Sequence, residues 1–414
     1  INLMKIMTIL GIRPDFIRMS EIIKLLDSSP SVNHVLVHSG QHYSYTMDEV
    51  FFDEMALRKP DYNCSVGSGT HGEQAGKVIY EAEKLILQEK PDLCLFLGDA
   101  NPTLSAIAAA KANVKVAHIE AGMRSFDWRM PEEKNRIIVD HISDYLYVYT
   151  HRYKEHLLLE GIPENKIFVV GNPIVDIVNL YRNRAATQSS ILQQLKLATG
   201  AYILVTLHRQ ENVDDSTVLA GLIQGLEKTS ETLGLPIYFP MSYRTEKRLL
   251  ESNIKIPSTI VKTPPIGFFD FLNAEQNAAL IISDSGTVQE EACILQVPCV
   301  VTRMSTERPE TIEVGGCMLT GTEPDHIVEA AQQLIHMERS WQHTLGDGRT
   351  SERIIDHIVR LESEIIDKEF NPPYIDARKR YAFSSNLSQI NITGGGWERP
   401  KPRDQFLTPP EESS

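Results

Sequence analysis

The sequence predicts an α/β protein built as two doubly wound domains with a cleft between them. Three observations lead to this. The chain is 414 residues long, more than one ordinary domain holds and enough for two that each bury a core. Short apolar runs alternate with amphipathic helical patterns from the first residues on, the signature of βαβ units building a parallel sheet. The cycle also pauses at a polar helical stretch near residues 181–197 and restarts at AYILVTLH. That restart places the boundary near residues 171–178.

Taken in order, KIMTIL is the first strand, and Pro14 suits the first turn of the helix DFIRMSEIIKLL. VNHVLVH, LCLFLGD, VKVAHIE, YLYVY and IFVVG follow as strands, with helical patterns over 72–89 and 103–111 between them. The second half offers AYILVTLH, PIYFPM, STIVKT, AALIISDS and PCVVTR as strands, then TSERIIDHIVRLESEII as an amphipathic helix long enough to pack back across both domains. The reading is therefore a Rossmann-like domain over 1–173, a second over 174–347, a returning helix over 348–368 and a polar tail over 369–414. In such sheets ligands bind beyond the carboxyl ends of the strands, so residues just after strands carry the functional expectation.

Composition narrows the function. Forty-one basic against 55 acidic residues give a net charge of −14, which disfavours nucleic acid or an anionic membrane as partner. No apolar run approaches the roughly 20 residues that span a bilayer, no signal peptide is read, and Met4 is a candidate natural start. The five cysteines lack C-x-x-C spacing and several sit in apolar runs such as CLFLGD and PCVVTR, which fits buried thiols in a reducing cytoplasm. The histidines show no H-E-x-x-H or clustered Cys/His spacing, so no metal is predicted, and His38 and His42 read as loop hydrogen bonders.

Several strand ends carry candidate chemistry. GIRPDFIR sets Arg13 and Arg18 around a helix N-terminus, where free N–H groups and the dipole favour an anion; a plain surface pair has the same spacing. No G-x-G-x-x-G follows the strand, so NAD is not predicted. Asp99 in FLGDAN, Glu120 in HIEAGMRSF and the Glu132–Glu133 pair in RMPEEKNR follow one another, with Arg124 and Arg136 nearby. Any one of these acids alone is more often a cap or an ion-pair partner. Their succession suits a site that moves protons on a polar substrate.

In the second half, TLHRQEN puts His208 and Arg209 directly after a strand, and ISDSGTVQEE puts Ser285 and Gly286 at a strand-to-helix turn shaped as a phosphate cradle. Glu291, further into that helix, suits ribose hydroxyls, with a solvated helix carboxylate at Glu290 or Glu291 as the plain alternative. Arg308 in STERPETIE reads as an ion-pair partner of a neighbouring glutamate. Phe268, Phe269 and Phe271 supply either core or a ring against a base.

Together GIRPDFIR, GQH, GDAN, HIEAGMRS, MPEEKNR, LHRQEN, SDSGTVQEE and TERPE resemble the non-hydrolysing UDP-N-acetylglucosamine 2-epimerases, over about residues 4–365. The resemblance implies a GT-B-like fold, a nucleotide held mainly by the second domain, a homodimer and no cofactor. It places the catalytic carboxylates on Asp99, Glu120 and Glu132 and the catalytic histidine on His208. Diphosphate and ribose contacts fall on Arg13, Ser285, Gly286 and Glu291, with Phe271 near uracil; Arg18, Arg136 and Arg308 complete the expected binding set. Ala100, Ser242 and Ser44 depart from the family pattern. Ser44 stands where bacterial relatives use a glutamine to bind a second, activating UDP-GlcNAc, which leaves that site unassigned.

The implied reaction is inversion of C2 of a UDP-N-acetylhexosamine, UDP-GlcNAc to UDP-ManNAc, for surface-polysaccharide precursors. FFDEMALRKPDY and GFFDFLNAEQNA look closer to a capsule and O-antigen branch, so a modified sugar such as UDP-2-acetamido-2,6-dideoxy-L-talose is the alternative substrate. A GT-B glycosyltransferase, a hydrolysing epimerase and a nucleotide-sugar sensor are the rival readings.

Overall fold

The structure, a computed structural model, describes residues 3–40, 52–67 and 69–366, with side chains as far as Leu361. His42, Ser44 and the tail beyond 366 lie outside the described residues. Two parallel sheets form. The first has the order β3-β2-β1-β4-β5-β6-β7, with β1 Met4–Leu10, β2 Val32–His38, β3 Tyr62–Asn63, β4 Leu93–Leu97, β5 Lys115–Ile119, β6 Tyr145–Val148 and β7 Ile167–Val169. The second has the order β10-β9-β8-β11-β12-β13, with β8 Ile203–Thr206, β9 Ile237–Pro240, β10 Ile260–Thr263, β11 Leu280–Ser283, β12 Cys299–Val301 and β13 Cys317–Leu319.

Strands of this kind are buried on both faces and so read as continuous apolar runs. β4, LCLFL, is buried at every position. In β8 the period of two sends Ile203 and Val205 toward the helices Ser216–Leu233 and Pro324–Ile335, while Leu204, with Tyr202 just before the strand, clusters with Val288 and Ala292 of the helix Gly286–Leu295. Each fully buried aliphatic side chain contributes about 1.5–3 kcal/mol, and these two layers fix the register of the second sheet.

The same order reversal occurs in both sheets: β1 lies between β2 and β4, and β8 lies between β9 and β11. At such a switch point the following loops diverge and leave a crevice beyond the strand ends. Arg13 and Asp99 follow β1 and β4; His208 and the Ser285–Gly286 turn follow β8 and β11.

The sequence patterns miss β3 and β13, edge strands too short to show a period. The helix expected over 103–111 begins as a 3₁₀ turn, Asn101–Ser105, before continuing as Ala106–Lys111. The polar stretch near 181–197 divides into the helices Pro173–Gln188 and Ile191–Leu195. The terminal helix Thr350–Ile366 has its first N–H groups accepted by Asp176, from Thr350 at 3.1 Å and Ser351 at 2.7 Å. Its His357 ring lies 3.9 Å from that of Phe168 and hydrogen-bonds Tyr147, on β7 and β6. Among the described residues no helix is long and apolar enough to cross a membrane.

Candidate active site

A cavity of about 210 Å³ opens at the switch point of the second sheet. Its wall includes Arg13, His208, Phe271, Ser285 and Glu291, which the sequence nominated, together with Ser242. Asp284 shapes it. This fully buried carboxylate follows β11 and accepts the backbone N–H of His208 at 3.1 Å and of Arg209 at 3.0 Å, and the Asn212 amide at 3.1 Å. One side chain thus ties the loop after β8 to the loop after β11. Ser285 caps the helix Gly286–Leu295 by accepting the Val288 N–H, and Ser285, Thr287 and Val288 line the cavity, so the helix N-terminus, an end whose dipole favours an anion, borders it. The phenylalanines separate by environment. Phe268 and Phe269 are buried and pack against Tyr181, although Phe268 also reaches the wall, whereas Phe271 stays half-buried on the cavity.

Behind the cavity lies a buried charge network. Gly286 is packed so closely on the Arg308 guanidinium that an added Cβ falls 2.4 Å from Nη1. Arg308 pairs with Glu307, stands 2.7 Å from Glu290 as an ion pair, and reaches Glu120 at 3.8 Å. Glu120 in turn binds Arg18 and accepts the Tyr149 hydroxyl at 3.0 Å. Glu307 gathers Arg303 at 2.8 Å, Arg136 at 3.4 Å and Arg209 at 3.7 Å. Arg136 also holds Asp99 and Glu133. Asp99, whose side chain is 22% exposed, is the open end of this chain of charges, while Glu120 is closed at 1%.

The electrostatics follow from that packing. Burial raises the Glu307 carboxyl, but Arg308, Arg303, Arg136 and Arg209 outweigh it and hold the group well below the usual range. Burial pushes Asp15 up to about 7 against the pull of Arg18, and pushes Glu290 up to about 7 against Arg308. Glu120 sits at φ 73°, in the left-handed region that costs a residue with a Cβ about 1–2 kcal/mol. Strain held by surrounding contacts is common where a side chain must be aimed.

The structure brings together most of the nominated residues, in two groups: the cavity set above, and the network of Asp99, Glu120, Arg18, Arg136 and Arg308. Arg18 faces Asp15 and Glu120 and is not on the cavity wall. Glu132 is half-buried on the first turn of the helix Pro131–Ile142, and its neighbour Glu133 is the one turned inward, accepting the N–H groups of Ser125 and Phe126. Arg124 is structural, paired with Asp140 and Glu160. Ala100 gives the following turn no side-chain cap, and Asn135 instead grips the Asp99 carbonyl at 2.9 Å.

Asp284 and Tyr149 carried no reading as site residues in the sequence, and Glu290, which the sequence offered as a solvated helix carboxylate, is fully buried. The ion pair expected between Arg308 and a neighbouring glutamate is made with Glu307, whose further pairing with Arg303, Arg136 and Arg209 the TERPE run does not show. His118 was also missed. Its Nε2 donates to the Gly98 carbonyl at 2.8 Å and its Nδ1 faces Asp140 at 2.7 Å, anchoring the loop that carries Asp99.

The family model described as UDP-N-acetylglucosamine 2-epimerase matches residues 24–359. The UDP-N-acetylglucosamine 2-epimerase of Methanocaldococcus jannaschii is 45% identical over 360 residues, covering 85% of this chain and 98% of that protein. The UDP-2,3-diacetamido-2,3-dideoxy-D-glucuronate 2-epimerase of Pseudomonas aeruginosa is 36% identical over 362 residues, covering 86% of this chain and 100% of that protein. The crystal structure of the Methanocaldococcus jannaschii UDP-GlcNAc 2-epimerase in complex with UDP-GlcNAc and UDP matches at a TM-score of 0.83 and 44% identity, over 86% of this chain and 100% of that one. With two parallel sheets, a cavity at a capped helix N-terminus and buried carboxylates behind it, the chain belongs to the UDP-N-acetylglucosamine 2-epimerase family.

Proposed function

We propose that the chain converts UDP-GlcNAc to UDP-ManNAc by eliminating UDP and adding it back, without releasing the free sugar, in the making of surface-polysaccharide precursors. The observation that carries this reading is the continuity between the anion-binding turn and the acids: Gly286 rests on Arg308, and Arg308 reaches Glu307 and Glu120.

The C2 proton of an N-acetylhexosamine has no adjacent carbonyl to acidify it. Breakage of the C1–O bond to UDP makes C1 oxocarbenium-like and C2–H acidic, so a carboxylate removes the proton and leaves a 2-acetamidoglycal beside UDP. Return of UDP to C1, with protonation of C2 from the other face, gives the epimer. Negative charge grows on the departing diphosphate, and in this reading Arg13, His208 and the Ser285–Gly286 turn stabilise it, which the presence of Arg13, His208 and Ser285 on the cavity wall supports. Removal and return on opposite faces call for more than one acid–base group. Asp99, Glu120 and Glu132 fill those roles in this reading, with Asp99 the accessible member of the buried network.

The test is proton NMR with UDP-GlcNAc in D2O, without acceptor. Deuterium at C2 with UDP-ManNAc as product supports the reading, free N-acetylmannosamine would indicate the hydrolysing reaction, and no exchange would sink both for this substrate. The relative from Pseudomonas aeruginosa favours a second reading, C2 inversion of a more heavily modified UDP-sugar. Exchange with such a sugar but not with UDP-GlcNAc would establish it.

A further inference from the structure

The helix Phe268–Gln276 puts Phe268 and Phe271 on the cavity wall, yet it begins after Gly267, which has no side chain to cap it. Serine, threonine, aspartate or asparagine ordinarily stands at such a position and accepts one of the free N–H groups of the first turn. Here the acceptor comes from the first half of the chain. Oε2 of Glu54 accepts the N–H of Phe268 at 2.7 Å, across 214 positions of sequence.

The same contact explains Gly267. Its φ of −64° and ψ of 167° are open to any residue, so the glycine is not required by the backbone. Space is the reason: an added Cβ falls 2.6 Å from Oε1 of Glu54 and 3.1 Å from Oε2. A local capping side chain and the Glu54 carboxylate compete for one place, and the chain has the distant one. Glu54 is anchored on its own side. It lies in a short helical turn closed by the Leu57 N–H on the Phe52 carbonyl at 2.9 Å, with Met55 fully buried and the Phe52 ring edge-on to Phe16 at 5.4 Å. Phe16 belongs to the helix Arg13–Ser28, whose Arg13, Pro14 and Ile17 are the first half's share of the cavity wall.

We propose that Glu54 is a positioning residue for ligand binding: its carboxylate caps the helix Phe268–Gln276 from the other half of the chain and so holds the Phe271 ring in place at the cavity wall. The inference rests on the reading of the cavity as the nucleotide site. A first turn that is already ordered spares the ligand the cost of ordering it. Electrostatics alone argue for the opposite effect on affinity. Burial and the Asp270 charge raise the Glu54 carboxyl against the pull of the Phe268 N–H and of Arg13. Removing a negative charge that acts on Arg13 by itself favours an anion such as UDP, so weaker binding after its removal comes from the lost cap.

The experiment is isothermal calorimetry with UDP at neutral pH on wild type, Glu54→Gln, Glu54→Ala and the double variant Glu54→Ala with Gly267→Ser, each checked for an intact thermal transition. Glu54→Gln keeps an oxygen that accepts the Phe268 N–H and is expected to bind within about threefold of wild type. Glu54→Ala is expected to bind about tenfold more weakly. In the double variant the space left by Glu54 admits a serine cap, and affinity is expected to return to within about threefold of wild type. A folded Glu54→Ala that binds as tightly as wild type, a Glu54→Gln as weak as Glu54→Ala, or a double variant no better than Glu54→Ala overturns this proposal alone. Failure of the wild type to bind UDP overturns the nucleotide reading, and this proposal with it.

Discussion

Arg136 and Glu307 stand 3.4 Å apart, one on the helix that follows β5 and the other in the loop that follows β12. The contact joins the acids of the first half to the arginines of the second. Because Glu307 also neutralises Arg303, Arg209 and Arg308, its removal leaves several buried cations facing one another. Breaking one partner of a buried ion pair costs about 3–5 kcal/mol. Glu307→Gln is expected to lose stability of that order in urea unfolding and to lose turnover as well. A change within about 0.5 kcal/mol, as at an ordinary surface site, would show that the hub carries no load.

In the proposed reaction Asp99 and the nucleotide cavity are separate parts of one site, and that separation is measurable. Asp99→Asn removes a base without touching the wall formed by Ser285, Phe271 and Glu291. Exchange of the C2 proton is expected to slow by about 10²–10⁴, with the UDP dissociation constant unchanged within about threefold. Loss of UDP binding in this variant would assign Asp99 to ligand binding instead of proton transfer.

The extent to which the sequence foretold this site depended on the length scale of each signal. β1, β2, β4 and β8 were legible because strands buried on both faces are unbroken apolar runs. The residues after them were legible as candidates because parallel sheets put ligands there. Glu307, Glu290 and Asp284 were not legible as buried site acids, since a buried acid looks like a surface acid until its partners are known, and those partners come from up to 171 positions away, as with Arg136 and Glu307 at 3.4 Å. Glu133 could not be told from Glu132 beside it, because only the helix phase decides which turns toward Arg136. β3 and β13 carried too few residues for any period to register.

Gly286 tests the joint between cavity and network. Its missing side chain makes room for Arg308, whose guanidinium is pinned by Glu290 and Glu307 and cannot withdraw. Gly286→Ala is expected to destabilise by about 1–3 kcal/mol through overpacking and to raise KM for the UDP-sugar by about tenfold, 1.4 kcal/mol of binding. Gly76→Ala is the control, because nothing lies within 4 Å of the new methyl in the helix His71–Glu89, and a helix interior gains about 0.5–1 kcal/mol from the change. Equal behaviour of the two variants in thermal melts and kinetics would remove Gly286 from the argument.

The buried acids also set a pH dependence whose sign can be worked out. Asp15 and Glu290 are pushed by burial to about 7, from 3.8 and 4.5. The folded state therefore holds protons that the unfolded chain has released, and the associated stability is full below the unfolded values and lost as pH rises through about 7. Groups held low act in another window: Glu307, and Asp140 beside His118 and Arg124, lose their contribution only as pH falls below the usual carboxylate range. Between about pH 5 and about pH 8 the raised acids should dominate, so the urea midpoint is expected to fall across that interval. Asp15→Asn, which keeps a polar group beside Arg18 but cannot titrate, should flatten the fall. A wild-type midpoint that is level or rising from pH 5 to 8 would mean that these carboxyls are ionised in the fold, with Arg18 and Arg308 prevailing over burial.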